Sequence, residues 1–135
     1  MAKKQILRKT NASKIEIDLR KNFYNLFLNN PIPHDEVLIN LPLFMKRQDL
    51  SSLLFFNEIY KKIIHVNGSI IEFGVRWGKT LALLINLRGI YEPSNHSRKI
   101  IGFDTFEGFK SLDKKDGQES DELFDGALTV SKDYE

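Results

Sequence analysis

The sequence has no cysteine in its 135 residues, which excludes disulfides and thiolate metal sites and agrees with a reducing compartment. It also has no long apolar run. The longest, Leu53 to Phe56 and Leu81 to Ile85, fall far short of the roughly 20 residues that a bilayer-spanning helix needs. The opening MAKKQILRKT lacks the apolar stretch of a secretory signal. These absences exclude a helical membrane protein or a disulfide-stapled scaffold and make a cytoplasmic location the expectation. What is present is ordinary for a globular chain: 41% hydrophobic and 28% charged residues, with enough length for one modest core.

Charge is nearly balanced, at +2, but is unevenly placed. Residues 1–100 carry 16 Lys and Arg against 8 Asp and Glu, and residues 101–135 carry 4 against 10. The basic start, with Lys3, Lys4, Arg8 and Lys9, has no interleaved aromatics, so it reads as a solvated tail and not as a nucleic-acid arm. No nucleic-acid partner is expected.

Apolar residues Leu19, Phe23, Leu26 and Phe27 recur at helical spacing from Asp18 to Asn29, and Asn29-Asn30-Pro31 ends the pattern. Pro31, Pro33 and Pro42 then make an irregular connector with a helical turn around Asp35 to Ile39. A second helix is expected with Asp49 or Ser51 as its cap, a buried face of Leu50, Leu53, Leu54, Tyr60, Ile63 and Ile64, and a left-handed stop at Asn67-Gly68. The reading divides the chain into a basic tail, 1–17, a helical segment, 18–68, and an α/β segment, 69–135.

After Gly68 the period changes. Ser69 to Phe73 is a short apolar run between glycines, a glycine turn follows from Gly74 to Gly78, and Thr80 to Leu87 is strongly helical. Beyond a polar link, Lys99 to Phe103 forms a second apolar run closed by Asp104. This is a βαβ unit, and its strands should be parallel. From Glu107 onward the residues read as loop, with a turn of helix near Glu119 to Phe124.

The turn ends in Gly78-Lys79-Thr80, which has the look of a phosphate-binding P-loop. That loop needs a glycine five places before Gly78, and the residue there is Phe73. Lys79 is then a solvent-facing lysine at a helix start, and a P-loop nucleotide binder is a minor alternative. Ligands of doubly wound sheets lie at the carboxyl ends of strands, where glycine lets them approach the backbone. Asp104 falls 26 positions after Gly78, near the roughly 20-residue offset at which a carboxylate meets ribose hydroxyls. An adenosine-type ligand follows, unless Gly74 and Gly78 serve only close packing.

Glu72-Phe73-Gly74-Val75-Arg76-Trp77-Gly78-Lys79-Thr80, followed by Ile101-Gly102-Phe103-Asp104-Thr105-Phe106-Glu107-Gly108-Phe109, resembles the macrocin O-methyltransferase type of class I S-adenosylmethionine-dependent methyltransferase. The resemblance implies a partial Rossmann-like parallel sheet preceded by helices, and S-adenosyl-L-methionine as cofactor. It implies that Glu72, Phe73, Gly74, Val75 and Gly78 form the turn against which the methionine part lies, with Thr80 at the helix start. Asp104 would hold the ribose, and Thr105 and Phe106 would border the adenine. Glu72 is open to two readings, a carboxylate near the sulfonium or a residue that orders the loop. Phe103, Phe106 and Phe109 are core or loop anchors as readily as adenine contacts.

His34, His65 and His96 have no metal-ligand spacing. The divalent metal (Mg) ligands, catalytic base and later strands implied by the family have no counterpart here, so no catalytic residue is nominated. The implied reaction is methyl transfer to a hydroxyl of a small, sugar-containing metabolite, with this chain inactive alone. The chain is then a stretch of a longer enzyme, a shortened relative that binds cofactor or a protein partner without catalysis, or a chain whose open sheet edge is completed by a second copy.

Overall fold

A computed structural model describes residues 12–111, 113 and 124–130. The basic arm at Lys3, Lys4, Arg8 and Lys9 and most of the helical turn expected from Glu119 lie outside them. The elements are α1 (Lys14–Leu28), α2 (His34–Val37), a 3₁₀ turn (Leu41–Phe44), α3 (Arg47–Ile63), β1 (Ile70–Phe73), α4 (Lys79–Tyr91) and β2 (Ile100–Phe103). The chain forms two compact units, with the boundary inside α3 between Leu54 and Phe55.

In the first unit α1 begins four residues before the expected Asp18. The reason is a capping box: the Ser13 hydroxyl accepts from the Glu16 N–H, and the Glu16 carboxylate accepts from the Ser13 N–H at 2.7 Å. Of the apolar stripe of α1, Leu19, Leu26 and Phe27 are exposed and Phe23 is half-buried. Phe27 makes a ring contact, edge-on to Phe44 at 5.0 Å.

Helix α3 also starts early, at Arg47, so Asp49 and Ser51 lie inside its first turns and do not cap it. Asp49 there faces Lys46 at 3.9 Å and suits the positive end of the helix dipole. Leu50 and Leu54, expected in the buried face, are exposed. Tyr60 is the fully buried residue of α3. The expected glycine stop is met in part, since Gly68 has a positive φ but lies five residues beyond the last residue of α3. Gly68 takes φ of 134°, and the carbonyls at the end of α3 go instead to Arg98, which donates to Ile63 at 2.9 Å, Val66 at 2.8 Å and Gly68 at 3.1 Å.

The second unit holds the expected βαβ. Strands β1 and β2 pair in parallel, with Ile70 opposite Ile100 and Phe73 opposite Phe103. Gly78, at φ 75°, caps α4, which continues past Leu87 to Tyr91. Leu84 and Leu87 of α4 meet Tyr60 in the core, with Phe56, Ile63, Ile70 and Ile100 packed around them. Alternation along a strand sends Ile71 and Phe73 to the opposite face, and there Ile71, Phe73 and Phe103 are exposed.

A polar cluster crosses this core. Glu92 and Arg98 are both buried and meet at 2.5 Å, while Tyr60 donates its hydroxyl to Glu92 at 2.6 Å and Asn95 donates to the other Glu92 oxygen at 2.7 Å. The Arg98 guanidinium beside it, aided by Tyr60 and Asn95, holds the Glu92 carboxyl down at about 2. Burial and the hydrogen bond to Glu92 push the Tyr60 hydroxyl up to about 12.

Candidate cofactor site

The carboxyl ends of β1 and β2 open into a cavity of about 700 Å³. Its wall includes Phe73, Gly74, Asp104 and Thr105, four of the residues nominated from sequence. Phe73 and Phe103 form an aromatic floor, their rings stacked 5.5 Å apart. Phe73 is 79% exposed, so its flat face is available to a planar ligand.

Asp104 has a structural task that its sequence position alone does not reveal. One carboxylate oxygen accepts from the Arg76 N–H at 2.7 Å and the other from the Phe106 N–H at 2.6 Å. It thereby ties the turn after β1 to the loop after β2. These backbone N–H groups hold its carboxyl below the usual carboxylate range, and each oxygen retains a lone pair for a further donor. Arg76 and Phe106 both pay for this with positive φ, 50° and 57°, a backbone region that residues with a Cβ seldom adopt.

Glu72 and Thr80 are not among the cavity-wall residues; neither are Val75, Gly78 and Phe106. Glu72 sits opposite Gly102 in the strand register. Its Oε2 is buried without a hydrogen-bond partner, and burial raises its pKa against an opposing hydrogen bond with the Thr80 side chain. Val75 closes over Gly102, where a Cβ would meet Val75 Cγ2 at 2.7 Å. Gly78 ends the turn through its N–H bond to the Val75 carbonyl at 2.9 Å. Lys79 is exposed.

Arg76, Gly108 and Leu128 complete the wall with Phe109. None of the first three was nominated from sequence. Leu128 arrives through a clamp in which Phe109 N–H donates to the Ala127 carbonyl at 3.0 Å and Val130 N–H to the Phe106 carbonyl at 3.1 Å. Its sequence surroundings carry no periodicity that could announce this. Among the described residues no group of three or more His, Asp or Glu could hold a metal ion.

A glycine turn and an acidic strand end meet around one cavity at the carboxyl ends of adjacent parallel strands, the arrangement of a Rossmann-like α/β unit. No protein-family model matches the chain, and no curated protein matches it. Solved structures do. The crystal structure of CalS11, a calicheamicin methyltransferase, is 38% identical with a TM-score of 0.82, over 93% of this chain and 48% of that one. The apo structure of CalS11, a TDP-rhamnose 3'-O-methyltransferase of calicheamicin biosynthesis, is 41% identical with a TM-score of 0.67, over 76% of this chain and 44% of that one. The chain thus spans about half the length of these structures, and over that span it resembles this type of methyltransferase in sequence as well as in fold.

Proposed function

We propose that this chain is the cofactor-binding part of an S-adenosylmethionine-dependent O-methyltransferase acting on a hydroxyl of a sugar-containing small molecule. The observation that carries the reading is the 38% identity to CalS11 across 93% of the chain, supported by a cavity at the carboxyl ends of parallel strands, where such sheets take their ligands. The residues fit the group. Asp104 offers lone pairs to ribose hydroxyls. Phe73, Phe103 and Phe109 offer apolar faces to a purine.

A bound S-adenosylmethionine would supply an electrophilic methyl group. The chain's own part is to hold and orient: Asp104 fixes both loops, and Gly74 leaves the backbone open to close approach, because nothing lies within 4 Å of where its Cβ would be. Orientation of this kind can supply several kcal/mol of a barrier. We assign no residue to proton transfer and no metal ligand. The reading includes a cytoplasmic location, a small-molecule substrate and no nucleic-acid partner. Among the described residues no helix is long and apolar enough to cross a membrane.

Isothermal titration with S-adenosylhomocysteine tests the reading. Binding is expected, and Asp104→Ala should weaken it by about 1.5–3 kcal/mol, as for a charge-assisted hydrogen bond. A folded chain that takes up no S-adenosylhomocysteine would overturn it.

A further inference from the structure

We propose that Arg76 binds the carboxylate at the amino-acid end of the cofactor; this rests on the function proposed above. Arg76 stands at a position that the resembled motif leaves variable, so nothing in that pattern assigns it a role. Its backbone gives no reason for an arginine. At φ 50° a glycine or asparagine would sit with less strain, yet the turn is held in that shape by the Asp104 bond to the Arg76 N–H.

The side chain carries the argument. Among the described residues that line the cavity, Arg76 is the one cation and Asp104 the one carboxylate. Both oxygens of Asp104 already accept from backbone N–H groups. The Arg76 Nε is buried and has no hydrogen-bond partner. A buried donor of a charged group is costly to leave unpaired, and Arg76 lines the cavity, so an anion arriving with the ligand would supply the counter-charge that the guanidinium lacks there.

The anion follows from the cofactor's charges. A sulfonium and an ammonium are positive, and the carboxylate is the single negative group. A guanidinium matches a carboxylate with two parallel N–H bonds. Arg76 also belongs to the Gly74 to Gly78 turn, the segment against which the amino-acid part is expected to lie.

Calorimetry on the 135-residue chain separates the possibilities. Arg76→Gly removes the guanidinium and fits φ 50° better than the native residue, so thermal stability should hold or rise. S-adenosylhomocysteine should bind about 10- to 100-fold more weakly to it, as expected for a lost charge-assisted hydrogen bond. Methylthioadenosine, which lacks the amino-acid part, should bind both proteins equally, and Arg76→Lys should recover part of the loss. An equal loss for both ligands, or no loss for either, would refute the assignment while leaving the proposed function intact. So would a loss confined to thymidine diphosphate, which would make Arg76 a phosphate ligand. A wild-type chain that binds neither adenosyl compound would defeat both readings.

Discussion

Gly74 and Gly108 both have left-handed backbones, at φ 80° and 74°, but for different reasons. Around Gly74 the space for a Cβ is open, and that space is the cavity. At Gly108 a Cβ would lie 2.3 Å from the Ala127 carbonyl oxygen and 2.8 Å from the Thr129 nitrogen, both backbone atoms that cannot swing aside. Gly74→Ala should therefore cost only about 1–2 kcal/mol of backbone strain while placing a methyl group in ligand space. Gly108→Ala should cost more stability, because the clamp between Phe109 and Ala127 must open. Paired melting curves and S-adenosylhomocysteine titrations would show this, and a larger stability loss at Gly74 would contradict it. The pattern Glu-Phe-Gly made Gly74 legible in the sequence. The reason for Gly108 was hidden, since its neighbours lie about twenty residues further along the chain.

At the scale of elements, the end of α3 is made by a residue from the link before β2. Arg98 reaches the carbonyl of Ile63 at the end of α3 and those of Val66 and Gly68 beyond it, and is itself neutralised by Glu92. Replacing Arg98 by Met would leave the buried Glu92 charge unpaired and should destabilise the second unit by about 3–5 kcal/mol, read as a lower urea midpoint. The cluster also sets a pH range. Glu92 is held at about 2 against an ordinary 4.5, so its contribution is complete above about 4.5 and is lost as pH falls toward 2. Tyr60 is held at about 12 against 10, so its contribution is complete below 10 and is lost as pH rises through 12. The wild-type minus Glu92→Gln difference in urea midpoint should be flat from about pH 5 to 9 and shrink below pH 4; a difference that persists at pH 2 would remove Glu92 from this role. The sequence showed Glu92 to Arg98 only as a polar link. The Ser13 to Glu16 capping box was overlooked although its spacing is local, with the helix expected only from Asp18, whereas Arg98 lies 35 residues from Ile63 and no local pattern joins them.

At the scale of the whole molecule, the sheet has one covered face and one bare face. Helices α3 and α4 pack on Ile70 and Ile100, while Ile71, Phe73 and Phe103 remain exposed. Among the described residues β1 pairs only with β2, leaving its other edge with unpaired backbone groups. Parallel sheets are ordinarily covered on both faces, and an open apolar edge strand invites pairing. We propose that the isolated chain associates through this edge, so its sedimentation coefficient should rise with concentration. Phe73→Lys should suppress that rise; a monomer at every concentration would refute it.

The sequence by itself determined the βαβ unit, because apolar runs of strand length on either side of a helical repeat leave few other ways to bury their side chains. It determined the glycine turn and Asp104 for the same reason: both are fixed by position relative to strand ends. Tertiary structure alone decided that Asp104 joins two loops through backbone N–H groups, that Arg76 and Leu128 reach the same cavity, and that Arg98 closes α3. Each of these depends on groups far apart in the chain whose charges or donors can be satisfied only once the strands are side by side.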